Sequence, residues 1–187
     1  TKPLLHRGGE SMSNVFSNLD PRLAAALDSK GWKPTPVQVA TLPELCKGGD
    51  RIIVAPTGSG KTMSAVLPLL NRCLVEEWKP LSILYITPLR ALNRDVDRRL
   101  NEITEAVGLK VGLRHGDTKQ SERSRQVRNP PDLLVTTPET FQLMFTGKNL
   151  RELLKRVQAV IIDEVHDLAA SERGWQLSVG LERLEAL

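Results

Sequence analysis

Eight residues, Ala55-Pro56-Thr57-Gly58-Ser59-Gly60-Lys61-Thr62, constrain the fold most, because they directly follow the apolar run Ile52-Ile53-Val54. The order predicts a strand, a Gly-containing loop and a helix opened by Gly-Lys-Thr, which together make a nucleotide phosphate site. Backbone N–H groups of the loop and helix start point at the phosphates. Lys61 reaches the β and γ groups, and the Thr62 hydroxyl is placed for Mg²⁺. Ala55 stands where the general pattern has its first Gly, so the match is to a variant form. Taken alone, the eight residues also fit an ordinary Gly-rich turn from strand to helix.

The chain has 187 residues, 40% hydrophobic and 26% charged, which fits one domain with its own core and excludes a disordered or fibrous chain. Cys46 and Cys73 have no pairing or metal-ligand spacing and read as free thiols in a reducing compartment. No apolar run approaches the ~18 residues of a membrane span, and no secretory signal opens the chain, so a cytoplasmic protein without a membrane partner is expected. The net charge is +4, and the stretch from Arg90 to Arg128 holds ten Lys/Arg against six Asp/Glu, leaving the remainder balanced. Such a segment suits an anionic partner, although a solvated Arg-rich helix face has the same composition. Residues 1–11 are polar and aperiodic and read as a flexible leader or an expression remnant, with Met12 as the native start.

Asp20-Pro21, then Leu23, Ala24 and Leu27 before Gly31, predicts a capped helix, followed by a second helical stretch that Pro43 interrupts. An alternation then begins. Strands are expected at Ile52–Val54, Ile83–Ile86, Val111–Leu113, Leu133–Val135 and Val157–Ile162, with helices at Lys61–Glu76, Leu89–Ala106, Lys119–Arg128 and Glu139–Phe145 and from Ser171 onward. This predicts an α/β fold: a mainly parallel sheet covered on both faces in three layers, with ligands at the carboxyl ends of the strands. In the last helix Leu177, Val179, Leu181, Leu184 and Leu187 are expected to face the core, with Gly174-Trp175 seating the helix.

Val160-Ile161-Ile162-Asp163-Glu164 is an apolar strand ending in two adjacent carboxylates. Asp163 is placed to hold Mg²⁺ opposite Thr62, and Glu164 to polarise the water that attacks the γ-phosphate in line. A helix start decorated with acids is the plainer reading. His166 makes the run Asp-Glu-Val-His.

Together with the phosphate loop and Thr137-Pro138-Glu139, that run resembles the DExH box of superfamily-two helicases. The resemblance covers nearly all of the chain from Phe16. Gly31-Trp32-Lys33-Pro34-Thr35-Pro36-Val37-Gln38 is similar to the family's Q motif, Thr87-Pro88-Leu89-Arg90-Ala91-Leu92-Asn93 to motif Ia, and Thr136-Thr137-Pro138-Glu139 to motif Ib. Pro-Leu-Arg-Ala-Leu-Asn, Arg-His-Gly-Asp-Thr and Asp-Glu-Val-His-Asp-Leu are most similar to the Lhr-like (large helicase-related) branch of ATP-dependent DNA helicases. The resemblance implies a RecA-like P-loop NTPase domain over residues 12–187, using ATP and Mg²⁺. Lys61, Asp163, Glu164 and His166 would be catalytic. Gln38 would read the adenine edge, with Phe16 a candidate to stack on it, and residues Ala55 through Thr62 would hold the nucleotide.

The resemblance further implies a DNA strand, single or within a duplex, gripped by its backbone at Pro88, Arg90, Asn93, Gly116, Thr137, Pro138 and Glu139. Such contacts are independent of sequence and sensitive to salt. One Tyr and three Phe make an aromatic base-stacking platform improbable. Glu122 and serines interleave the arginines of Lys119–Arg128, which favours a solvated helix there. No Ser-Ala-Thr follows His166, so the family's second RecA-like domain, with its arginine finger, is expected outside this chain. An RNA helicase of the DEAD/DEAH kind, a non-catalytic nucleotide-binding domain and a small P-loop kinase are the competing readings.

Overall fold

Four of the five expected strands form and pair in a computed structural model that describes residues 15–88, 94–169 and 171–187. They are β1 (Ile83–Ile86), β2 (Val111–Arg114), β3 (Leu133–Thr136) and β4 (Ala159–Ile162), in the order β2-β3-β1-β4. Every pairing is parallel, with Tyr85 opposite both Val135 and Ile161. β1 and β3 are buried at every position, as strands covered on both faces must be. Residues 1–11, together with Arg90 and Asn93, lie outside the described residues.

Because side chains alternate along a strand, the sheet divides the interior into two clusters. Ile83, Tyr85, Leu133 and Val135 enter one, with residues of α1 (Pro21–Ser29), α3 (Lys61–Val75) and α4 (Arg94–Ala106). Leu84, Ile86 and Leu134 enter the other, with α6 (Pro138–Met144), α7 (Lys148–Leu154), α8 (Val165–Ala169) and α9 (Glu172–Glu185). α5 (Gln120–Arg128) lies on this second side, where Val127 packs against the cluster. The result is the expected three-layer α/β/α arrangement. Parallel pairing sends the loop after every strand to one edge. Bonds from Thr87 N–H to Thr136 O (3.0 Å) and from Asp163 N–H to Ile86 O (2.9 Å) carry the ladders to the brink of those loops.

Several expectations are corrected. Residues 52–54 form no strand, and Ile52 and Val54 are 88% and 90% exposed. A strand exists only through the ladder that pairs its backbone groups, and among the described residues β4 pairs with β1 alone, so this three-residue run has no ladder. Pro43 does not interrupt α2 (Pro36–Leu45) but lies within it, near its end, where only one internal bond is lost. In α9, Leu177 is buried and Leu181 and Leu184 pack against the second cluster, whereas Val179 is exposed and Trp175 is 76% exposed. Residues two places either side of Leu177 are turned roughly 200° from it on a helix, so they point away from the core. Gly180, not Trp175, seats this helix: a Cβ there would lie 2.5 Å from Gln142 Nε2 and 2.7 Å from Phe141 Cε1. Phe16 is itself a core residue, 8% exposed, rather than a free aromatic face.

No helix among the described residues is long and apolar enough to cross a membrane. Cys46 and Cys73 are free thiols.

Candidate nucleotide site

The phosphate-loop sequence folds as a turn running straight into α3. Ser59 N–H donates to Pro56 O (3.3 Å), and Gly58 and Gly60 hold φ of 76° and 94°, where a side chain would be strained. Gly60 caps α3 with its carbonyl, which accepts from Ser64 N–H and Ser64 Oγ, both at 3.0 Å. A Cβ on Gly60 would also meet Gln38 Nε2 and Thr35 Oγ1 at 2.9 Å, so glycine is required here twice over. Lys61 Nζ donates to Ala55 O at 2.5 Å, drawing the amine back across its own loop. Ser59 Oγ is buried and has no hydrogen-bond partner.

Gln38 is 5% exposed and joins α2 to this loop. It completes a capping box with Thr35, accepting from Thr35 N–H at 3.0 Å, while Nε2 donates to Gly60 O at 3.4 Å. The amide that the Q motif supplies therefore sits against the last residue of the phosphate loop.

Asp163 and Glu164 stand where β4 leaves the sheet. Glu164 N–H donates to Asp163 Oδ1 (2.9 Å), and the Glu164 backbone takes φ of 52°, an uncommon conformation for a residue with a side chain. Asp163 Oδ2 accepts a short hydrogen bond from the Tyr85 hydroxyl. Tyr85 is 1% exposed, and its phenol pKa is pushed far up, by burial first and then by the Asp163 charge. The side chains of Thr62 and Glu164 also act on its ionisation, Thr62 in the lowering direction and Glu164 in the raising one. Asp163 thus bonds this buried hydroxyl, and Thr62, at the start of the helix packed against β4, lies near enough to influence it. Sequence reasoning passed over Tyr85. The available signal was the chain's single Tyr in an otherwise apolar strand, since a buried phenol needs a polar partner.

His166 is exposed, with Nε2 3.2 Å from Glu164 Oε2 and 3.9 Å from Asp167 Oδ1. Together these three could offer mixed nitrogen and oxygen ligands, all within 4.8 Å of one another.

The residues expected to grip nucleic acid divide into two groups. Gly116 is exposed, with nothing within 4 Å of where a Cβ would be, and Glu139 is exposed and paired with Arg173 (2.8 Å). Pro88, Thr137 and Pro138 are buried. The Thr137 hydroxyl also caps α6, accepting from Thr140 N–H (3.4 Å) and bonded to Thr140 Oγ1 (3.1 Å).

Comparisons with known proteins agree with this architecture. A sequence model of DEAD/DEAH box helicases matches residues 35–186. The chain is 43% identical over 176 residues to Lhr helicase/uracil glycosylase of Escherichia coli, covering 83% of this chain and 11% of that protein. It is 39% identical over 170 residues to ATP-dependent helicase Lhr-Core protein 2 of Thermococcus barophilus, covering 82% of this chain and 20% of that one. Among solved structures it is similar to Mycobacterium smegmatis helicase Lhr bound to ssDNA and AMP-PNP, with TM-score 0.80 and 36% identity over 92% of this chain and 23% of the other. The RNA-helicase Prp28 of Chaetomium thermophilum bound to ADP gives TM-score 0.73 and 28% identity, over 95% and 43%. The chain therefore spans a tenth to a fifth of the length of these curated relatives. With a glycine-capped phosphate loop, an Asp-Glu-Val-His turn at the end of a parallel strand and a family match over most of its residues, this chain belongs to the DEAD/DEAH box helicases.

Proposed function

We propose that residues 12–187 are the first RecA-like, ATP-binding domain of a longer Lhr-like DNA helicase, which couples ATP hydrolysis to strand separation. The observation that carries this reading is the packing of α3, which opens with Lys61 and Thr62, against β4, whose end Asp163 bonds the Tyr85 hydroxyl near Thr62. The donor set fits a magnesium–triphosphate. A hydroxyl and a carboxylate are hard oxygen ligands suited to Mg²⁺, and the buried, unpartnered Ser59 Oγ leaves a donor free for a phosphate. Thr62 and Asp163 would hold the metal, which when bound neutralises charge on the β- and γ-oxygens. Backbone N–H groups from Gly58 to Thr62 would bind the phosphates, with Lys61 exchanging the Ala55 carbonyl for them. Glu164, steered by its left-handed backbone and paired with His166, would orient the attacking water. Gln38 would read adenine by exchanging its bond to Gly60 O for the ring edge.

The strand would run along the edge that carries Pro88, Arg90, Asn93, Gly116, Thr137, Pro138 and Glu139, and a second RecA-like domain would close on the nucleotide. The Lhr structure it resembles is described as bound to ssDNA, which favours DNA. An RNA-helicase neighbour keeps RNA as the second reading, separable by binding matched DNA and RNA strands. Free thiols at Cys46 and Cys73 suit a reducing cytoplasm.

An arginine finger supplied by another domain contributes roughly 10³–10⁵ in rate in such enzymes. These 187 residues should therefore bind a non-hydrolysable ATP analogue weakly and release almost no phosphate, with or without single-stranded DNA. Lys61→Ala should abolish analogue binding while leaving circular dichroism unchanged. Robust DNA-stimulated turnover by this chain would overturn the incomplete-site reading, and undiminished binding by Lys61→Ala would overturn the site itself.

A further inference from the structure

A cleft of about 660 Å³ separates α5 from α6 and α7, away from the phosphate loop. Its lining includes four cations, Arg114, Arg123, Arg128 and Lys148, and no carboxylate. Among the described residues none of the four forms an ion pair. Arg114 Nη1 donates to Arg123 O (3.4 Å) and Gln126 Oε1 (3.3 Å). Arg123 spends its donors on carbonyls, Thr118 O at 2.9 Å, His115 O at 3.0 Å and Gly116 O at 2.8 Å. Two nearby cations outside the cleft are compensated instead. Arg125, on the same helix but outside the cleft, pairs with Glu122 at 2.9 Å, and Lys155 on the end of α7 pairs with Glu152 at 2.9 Å. Arg114 is half-buried beside Arg123, and burial, then that neighbouring charge, hold its guanidinium pKa below the ordinary value. Positive charge from β2, α5 and α7 has thus been gathered around one cleft, partly desolvated and without a carboxylate in its lining, beside a helix whose composition suggested only a solvated surface.

We propose that this cleft is a second phosphate-binding groove that takes the sugar–phosphate backbone of a nucleic-acid strand. The inference rests on the nucleic-acid reading above and extends it from the strand edge onto the α5–α7 face. The groove adjoins that edge, because Arg123 holds the carbonyl of Gly116 and Thr140, in the first turn of α6, forms part of the wall. No aromatic residue lines it, so the bases are not stacked there and recognition is of phosphate alone.

The test titrates the 187-residue chain with fluorescein-labelled oligothymidylate by anisotropy over a series of salt concentrations. Arg128 and Lys148 are exposed, and among the described residues their side chains form no ion pair, so Arg128→Gln/Lys148→Gln removes two groove charges with little risk to folding. Each lost phosphate contact should lower the slope of log K against log salt by ~0.7, and the pair should cost roughly tenfold in affinity at moderate salt. The matched pair Arg125→Gln/Lys155→Gln, of equal charge change, should leave both nearly unchanged. ATP-analogue binding should be the same in all. Equal losses from both pairs would mean only bulk charge was sensed and would overturn the groove. So would wild-type binding that the groove pair leaves intact, an outcome that spares the strand-edge reading. Polyglutamate of matched charge competing as well as the oligonucleotide would assign the groove to acidic peptide instead. Absence of any salt-dependent binding by the wild-type chain would defeat the nucleic-acid reading itself.

Discussion

Replacing Tyr85 with Phe removes one oxygen atom and leaves the ring, so no cavity forms and the effect isolates the phenol's bond to Asp163. A hydrogen bond to a charged group is worth about 1.5–3 kcal/mol net. Asp163 is only half-buried and keeps its bond from Glu164 N–H, so water can replace part of what is lost. The expected destabilisation is therefore about 1–2 kcal/mol, a fall in Tm of roughly 2–8 °C for a chain of this size. A sharper signature lies at alkaline pH. The unfolded phenol ionises near pH ~10, whereas in the folded protein burial and the Asp163 charge push the phenol pKa well above that. From about pH 10 upward the unfolded chain gives up a proton that the folded chain keeps, so stability must fall as pH rises, by at most ~1.4 kcal/mol per pH unit. Tyr85→Phe should remove that increment of slope. Because Tyr85 is the single tyrosine, ultraviolet absorbance follows it alone, and native protein should show no tyrosinate until it unfolds. A native phenol titrating near pH ~10, or a variant with unaltered stability and alkaline slope, would refute the bridge between β1 and the Asp163 carboxylate.

Gly180→Ala sets helix propensity, worth ~1 kcal/mol in favour of Ala, against a Cβ placed 2.5 Å from Gln142 Nε2 and 2.7 Å from the fully buried Phe141 ring. Gln142 can swing aside but Phe141 cannot, so overpacking of about 1–3 kcal/mol should win and lower the urea midpoint. A rise in the midpoint would show that α6 and α9 have room. Asp20→Ala removes the cap of α1, which accepts from Arg22 N–H at 2.9 Å, and should cost about 0.5–2 kcal/mol at neutral pH. The Arg22 guanidinium, bonded to this carboxylate, holds its pKa below the ordinary range, so the contribution is present above that range and lost as pH falls. Wild-type and Asp20→Ala stabilities should thus converge in acid, and a gap independent of pH would contradict the capping role.

Much of this protein was legible from local pattern. Four apolar runs separated by helical spacing determined a parallel sheet, and parallel pairing alone requires that Thr87, His115, Thr137 and Asp163 follow strands at a common edge. The phosphate loop was equally plain, since Gly58 and Gly60 occupy backbone conformations that almost no other residue adopts. Partnership across the chain was not legible. Residues 52–54 have strand composition, but a strand also needs a neighbouring ladder, which no local pattern reports. Thr137 has a hydroxyl suited to phosphate by type, and only its place before α6 made that oxygen a cap as well. The charges of α5 were countable from the sequence, yet which of them met a carboxylate depended on helix packing: Arg125 found Glu122, while Arg123 and Arg128, with Arg114 at the end of β2, faced the α6–α7 wall. Residue type fixes what a group can bond, and periodicity fixes the element that carries it. Whether the bond is made to the protein, to water or to a ligand is decided by which elements meet, as when β1 and β4 brought Tyr85 to Asp163.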